Sequence, residues 1–435
     1  MMIVLELLIV LGAIYLGARL GSIGIGFAGG FGVLLLALVG VKPGGMPIDV
    51  ILIIMSVISA IAAMQVAGGM DLLVAATEKL LRKHPKYITY FAPLVTFFMT
   101  VMAGTGHTAF STLPVIAEVA KEQGIRPSRP LSIAVVASQV AITASPISAA
   151  VVFFSGVMEP LGVDYLQVLL ICIPTTLLAV ILTSFVTNFL GEEMKDDPVY
   201  QARLEAGLVK LRGTQKIEIL PHALRSVCIF AVAIVMVMLY ATLISDKVGF
   251  IAKENIILSR DNAIIVFMMT AATSIALLCK IGATKVLNAP TFKSGMSACI
   301  CVLGVAWLGT TFVAAHEAEI KALAGGVLQT MPWLLSVTLF FAAMLLYSQA
   351  STAKALMPMA IALGASPVTL VASFAAVSAL FILPTYPTLL AAVEMDDTGS
   401  TRIGKYVFNH PFIIPGILTI FLSVVFGFAF GGIIL

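Results

Sequence analysis

Runs of roughly 15 to 25 mostly apolar residues, interrupted by short polar stretches, recur along the whole chain. Segments of that length match the thickness of a bilayer, where backbone groups must be satisfied internally, so only helices or a closed barrel can span it. A barrel would need short alternating segments, and these do not dominate here. Composition agrees, because 60% of the 435 residues are hydrophobic, only 11% are charged, and the mean hydropathy is +1.09. A soluble globule is excluded, and an all-α polytopic membrane protein is expected. Residues 1–18 lack a basic leader region and a small-residue cleavage site, so they read as a first span and not a removable signal. Cys172, Cys228, Cys279, Cys299 and Cys301 fall mostly within apolar segments and lack metal-ligand spacing. No metal or cofactor is expected.

One polar stretch stands out in the C-terminal half, where Ser348-Gln349-Ala350-Ser351-Thr352-Ala353-Lys354 is set among apolar runs. An ammonium at bilayer depth costs roughly 3 kcal/mol on insertion scales, so Lys354 marks a functional site that attracts negative charge. A related phrase occurs earlier. Residues 108–115 and 352–359 share the pattern T-A-x-x-x-[LM]-P-[VM] at an offset of 244 residues. The same offset carries Ile48 onto Phe292 and Tyr165 onto Asn409, all at starts of apolar runs. The chain therefore reads as two copies of one unit, residues 1–190 and 223–435, joined by a polar linker at 191–222. Glycines between Gly21 and Gly32 suit close helix packing in the first unit.

Charge sets the orientation. Lys79, Arg82, Lys83 and Lys86 precede residues 88–124, and Lys121 to Arg129 close that segment, so both of its ends are expected in the cytoplasm. It reads as a re-entrant hairpin that turns at Gly104-Thr105-Gly106-His107-Thr108. Residues 131–154 read as a span broken at Thr143-Ala144-Ser145-Pro146, where proline removes a backbone donor and frees carbonyls. The second half repeats this upside down, with a hairpin at 332–364 and a broken span at 368–393 interrupted at Pro384-Thr385-Tyr386-Pro387-Thr388. Inverted repeats of five spans and one hairpin each follow, about ten transmembrane helices in all, with both termini external. On this layout Lys42, Lys247, Lys253, Arg260 and Lys321 face outward and Lys354 is intramembrane, while the rest of the 25 Lys and Arg face the cytoplasm.

Two hairpin tips and two broken spans bring four helix N-termini toward one point, each offering free N–H groups and partial positive charge to a carboxylate. The site residues expected there are Thr105, His107, Thr108, Thr143, Ser145, Ser148, Ser348, Gln349, Ser351, Thr352, Lys354, Thr385, Tyr386 and Thr388. Any one hydroxyl has the plainer reading that it bonds back to its own helix; the clustering at four breaks is what points to a ligand. Lys354 has the plainer reading of an ammonium reaching to the surface. His107 has that of a capped tip residue, against a donor or proton site that titrates near neutrality. Glu118 reads as a partner of Lys121, His316 and Glu317 as solvated loop residues, and Asp396, Asp397 and Arg402 as a turn or a gate. A small dianion suits such a site better than a cation or a sugar. An intramembrane enzyme would need a motif such as H-E-x-x-H, and His316-Glu317 lacks the second histidine.

Four stretches, 105–120, 139–152, 348–360 and 383–399, together resemble the anaerobic C4-dicarboxylate transporters of the Dcu family. The resemblance spans essentially the whole chain with its motifs in order. It implies a bacterial inner-membrane carrier with periplasmic termini that exchanges fumarate, malate or aspartate for succinate. The alternative it carries is a proton- or sodium-coupled symporter or exporter that also acts as co-sensor for a sensor kinase. It further implies the elevator-type fold of the ion-transporter superfamily, often a homodimer, with dicarboxylates and the lipid bilayer as partners and no nucleic acid. The tips carry Thr105-Gly106-His107-Thr108 and Ser348-Gln349-Ala350-Ser351-Thr352 where the sodium-coupled carriers of that superfamily carry Ser-Asn-Thr, so sodium coupling does not follow.

Overall fold

A computed structural model describes residues 2–20, 23–46, 48–209, 219–244, 250–316, 318–319, 330–384, 386–406 and 408–435. Every regular element among these residues is helical. Seven helices are long and apolar enough to cross a membrane: Pro85–Ala103, Ser128–Leu161, Tyr165–Thr187, Ala223–Leu243, Arg260–Leu278, Pro290–Phe312 and Ile413–Ile434. The pair Ile51–Val66 and Gly69–Lys83, bent by 74°, makes up to eight. Six of the seven and the bent pair fall on seven of the ten expected spans, and the other three are the apolar but shorter Val4–Gly17, Gly26–Leu38 and Pro367–Phe381. Pro85–Ala103, expected as one arm of the hairpin 88–124, is itself long enough to cross. At the bend Gly68 takes φ +84°, which glycine adopts without steric cost.

Burial divides the molecule into an interior and a belt. Residues 126–152 and 369–382 are buried without interruption. Phe154 stacks on Phe374 with ring centroids 4.1 Å apart, joining the two stretches. Outer helices instead expose large apolar side chains, among them Leu224, Leu277, Phe421 and Ile433. That is the pattern of helices whose outer faces meet lipid and not water. The glycines of Gly24–Leu38 do pack closely. A Cβ on Gly26 would meet the Ile300 carbonyl oxygen at 2.3 Å, and one on Gly29 would meet the Gly304 carbonyl carbon at 2.4 Å. Gly304 lies in a π-helical turn, Val302–Ala306, between the helices Pro290–Cys301 and Trp307–Ala315.

Four interruptions shape the interior. Ile88–Ala103 ends at Gly104 (φ +69°) and Ala109–Glu122 follows after a short 3-10 turn. Ser128–Val140 passes through a 3-10 turn and restarts as Ala149–Met158. Leu334–Leu346 ends at Tyr347 and Gln349–Ala362 begins at once. Pro367–Ser373 continues as the 3-10 segment Phe374–Phe381 and restarts as Pro387–Met395. Carbonyls freed at the second break are satisfied by hydroxyls, with Tyr165 Oη donating to the Pro146 oxygen at 2.6 Å and Ser148 Oγ to Ile142 at 2.7 Å, while Ser145 Oγ from the same break donates to the Val101 carbonyl, in the last turn before the first break, at 2.7 Å. A buried break without such partners would cost several kcal/mol, on the order of the penalty for each unpaired group.

Two charged clusters outside the interruptions complete the picture. His316 is buried and pairs with the buried Glu6, which corrects its expected place in a solvated loop; Glu317 lies outside the described residues. A second cluster ties the linker helix Pro198–Glu205 to the loop after Met395, through Arg203 Nε to the Asp397 carbonyl at 2.8 Å and Arg402 Nη1 to Asp197 at 3.2 Å. Asp396 is folded into that loop, accepting from Thr398, Ser400 and Thr401. Lys121 joins in through Asp397 at 2.9 Å and Glu118 at 3.0 Å, so the expected Glu118–Lys121 pair is present.

Candidate functional site

All four interruptions open onto one cavity of about 430 Å³. Gly104, Thr105 and Gly106 line it from the first turn, Ile147, Ala149 and Ala150 from the second, Tyr347 to Ala350 from the third, and Tyr386 and Pro387 from the fourth. Four helices therefore begin at or beside its wall: Ala109–Glu122, Ala149–Met158, Gln349–Ala362 and Pro387–Met395. Each start leaves backbone N–H groups without intrahelical acceptors and concentrates roughly half a positive charge. Ser148 and Ser348 cap two of them, accepting from Val151 N and Ser351 N at 3.2 Å each.

The opposite wall comes from two helices that carry no break at this level. Ile53, Ile54, Val57 and Ile58 supply an apolar face from Ile48–Val66, and Lys293, Ser297 and Cys301 supply a polar one from Pro290–Cys301. Lys293 is the one charged side chain among the described lining residues, and no carboxylate stands among them. Chemically the cavity suits an anion with an apolar waist.

The expected site residues divide by position. Thr105, Ser348, Gln349 and Tyr386 line the cavity. Thr108, Thr143, Ser145, Ser148 and Thr352 sit just behind it, buried, with hydroxyls given to backbone carbonyls: Thr108 to Thr105 (3.3 Å), Thr143 to Val140 (2.8 Å) and Thr352 to Ser348 (2.8 Å), besides the two at the second break. Ser351 Oγ is buried and has no hydrogen-bond partner among the described residues. The His107 side chain and Thr385 lie outside the described residues.

Lys354 is placed differently from the rest. Its Nζ lies 3.2 Å from Asp49 Oδ2, across 305 residues of sequence, and it is not in the cavity wall. The premise of an ammonium without a counter-charge is thereby corrected, since the partner sits on another element and outside the hairpin. Asp261 lies close enough for Asp49 and Lys354 to act on it, so the pair belongs to a mixed cluster.

Gln139 is the residue that sequence reasoning passed over. Fully buried, it donates from Nε2 to Thr388 Oγ1 at 3.1 Å, and its Oε1 accepts from Gln349 Nε2 at 3.3 Å. A Cβ on Gly106 would meet Gln139 Nε2 at 2.8 Å. One amide thus touches both hairpin turns and both broken helices. A lone glutamine within the apolar run 131–142 was its only sequence signal. Lys293, Ser297 and Cys301 were legible as an i, i+4, i+8 stripe on one helix face.

Residues 2–435 match the family described as anaerobic C4-dicarboxylate membrane transporters. The chain belongs to that family. It is 66% identical over 435 residues, the whole of both chains, to the C4-dicarboxylate transporter DcuA of Wolinella succinogenes, and 61% identical over the same length to DcuA of Escherichia coli. Identity to the anaerobic C4-dicarboxylate transporter DcuB of Escherichia coli is 35% over 442 residues, covering 99% of this chain and 98% of that one. Membership makes this a transporter and not an enzyme.

Proposed function

We propose that this family member exchanges C4-dicarboxylates, fumarate, malate or aspartate against succinate, across the bacterial inner membrane by alternating access, and that the cavity between the four interruptions is the cargo site. One observation carries the reading: four helix N-termini and a single ammonium face a space in which the described wall holds no negative charge. A dianion gains from every one of these groups. Thr105, Ser348, Gln349 and Tyr386 touch the cargo, while Thr108, Thr143, Ser145, Ser148, Ser351, Thr352 and Thr388 hold the ends in place. His107 and Thr385 are the other residues proposed for the site. Lys354 ties the second hairpin turn to Ile48–Val66 through Asp49.

In this reading residues 1–190 and 223–435 are oppositely oriented copies, linked by 191–222, with both termini periplasmic. The segments 88–124 and 332–364 are re-entrant hairpins. They move together with the broken helices as a carrier body past the remaining helices, in a homodimer. Support comes from the sequence offset of 244 residues and from the matching order of interruptions at 104–108 and 347–348, then 145–148 and 382–386. Purified protein in proteoliposomes loaded with unlabelled succinate should accumulate labelled fumarate, and the rate should collapse when the lumen holds citrate or no acid. Uptake that ignores internal dicarboxylate would refute exchange, and a requirement for a sodium or pH gradient would favour coupled symport.

A further inference from the structure

Lys293 belongs to none of the four interruptions, yet its ammonium is the only formal charge in the described cavity wall. We propose that Lys293 is the specificity-determining residue that holds the second carboxylate of the cargo, so that the carrier selects dianions over acids of the same shape with one charged end. This rests on the cavity being the cargo site.

Three observations lead there. First, the face that carries Lys293 looks into the cavity and not into lipid, because Ser297 and Cys301, one and two turns further along the same stripe, line it too. Second, the rotation of that helix is fixed on several sides. A Cβ on Gly295 would meet Ile58 Cδ1 at 2.1 Å, Thr291 N donates to Gln65 Oε1 at 3.1 Å, and Ile300 and Gly304 abut Gly26 and Gly29. Turning that face of the helix out of the cavity would require unpacking all of these contacts. Third, the other lysine of this region is already matched, with Lys354 at 3.2 Å from Asp49, whereas Lys293 shares its wall with Ile53, Ile54, Val57 and Ile58 and no carboxylate stands among the described lining residues.

The chemistry follows. Helix N-termini and hydroxyls at the turns satisfy one carboxylate, and the four isoleucine and valine side chains cover the carbon chain. A second carboxylate pushed against that apolar wall would lose its hydration without compensation unless an ammonium met it. An uncharged amide in its place has less to gain from Lys293.

The test pairs a change in the protein with a change in the ligand. Binding of fumarate and of its monoamide is measured by thermal shift on the full-length carrier, in wild type, Lys293→Gln and Lys293→Arg. Wild type should prefer fumarate by about tenfold or more; Lys293→Gln should reduce that preference to about threefold or less by weakening fumarate alone, and Lys293→Arg should retain it. Maleimide labelling of Cys301, in a Cys228→Ser background, reports occupancy independently, and fumarate should protect it. If fumarate protects Cys301 in Lys293→Gln with its preference over the monoamide undiminished, the role of Lys293 is overturned while the site stands. If fumarate binds wild type without protecting Cys301, the cavity is not the cargo site and both readings fall.

Discussion

The two hairpin turns do the same job with different materials. The first runs through glycine: Gly104 at φ +69° and Gly106 against Gln139, so it presents mainly backbone to the cavity. The second runs through side chains. Tyr347, a residue with a Cβ, is held at φ +53°, and Ser348 and Gln349 follow it into the wall. An L-residue in that left-handed region costs roughly 1–2 kcal/mol, which the second turn bears and the first does not. The first turn therefore allows close approach and the second places side chains in the wall, and the amide of Gln139 touches both.

Removing that amide should have the largest effect. Gln139→Leu keeps the volume but leaves the buried Gln349 amide only the long bond to the residue 139 carbonyl, 3.4 Å in the native chain, and takes from the Thr388 hydroxyl the amide that donates to it, at about 1–3 kcal/mol for an orphaned group. The unfolding midpoint in detergent should drop clearly and fumarate counterflow should fall at least about tenfold, since misplacement of cargo-touching groups is costly. Retained counterflow would show that the turns do not need each other. Gly104→Ala comes next. A methyl there is strained by the positive φ and would meet Ile147 Cγ1 at 3.0 Å and the Ile147 carbonyl at 3.2 Å, so a loss of about 2 kcal/mol is expected. Tyr347→Gly is the mirror experiment. Relief of the strain should offset most of the lost packing and leave stability within about 1 kcal/mol of wild type, while counterflow falls because a wall residue is gone. Equal stability losses at Gly104 and Tyr347 would erase the contrast between the turns.

Much of this arrangement was legible because a membrane makes polar residues conspicuous. Gly104 to Thr108, Thr143 to Pro146, Ser348 to Thr352 and Pro384 to Thr388 each interrupt an apolar run, and all four neighbourhoods meet at the cavity. What could not be read was pairing across the chain. Lys354 finds Asp49 305 residues away, and Glu6 finds His316 across 310. Gln139 looks like any polar residue in a helix until its neighbours are known. The plainer alternative for the hydroxyls, back-bonding, is what Thr143 and Thr352 do, donating to the carbonyls of Val140 and Ser348. Lys293 sits at the start of an ordinary apolar run and not at a break, so the charge rule counts it with the cytoplasmic cations, whereas the structure has it in the cavity wall.

The far ends of the hairpins differ as well. The first is anchored by ions, with Lys121 on Asp397 and Arg126 on Asp197 at 2.8 Å. Burial raises the pKa of Asp197, but the Val199 N–H, Arg402 and Arg126 more than offset it and hold the carboxyl below its ordinary value. A depressed carboxylate pKa stabilises fully above the unfolded value near about 3.9, and that contribution is lost as pH falls through the lower native value. Taken relative to the rate of an unprotected amide at the same pH, hydrogen exchange of residues 198–205 should therefore be slow at about pH 7 and accelerate toward about pH 3 in wild type. In Asp197→Asn it should be fast already at neutral pH, with no acid transition. An unchanged profile in that variant would remove the ionic anchor from the comparison.

The smallest expected effect concerns the ion pair that fastens the second turn. The Asp49 side chain is 68% exposed and that of Lys354 28%, so water screens the pair, and a coupling of about 0.5–1 kcal/mol is the most a double-mutant cycle should return. Transport discriminates further than stability can. If Lys354 serves only as the tie to Asp49, then Lys354→Ala and Asp49→Ala should slow exchange alike, the double variant should be no worse, and the charge swap Asp49→Lys with Lys354→Asp should recover most of the rate. If the ammonium instead leaves Asp49 to meet the cargo, Lys354→Ala should raise the fumarate KM while Asp49→Ala lowers it, because removing the competitor frees the lysine. Opposite shifts in KM would move Lys354 from the frame of the second turn into its cargo contacts, and would make the two turns more unequal than their backbones already are.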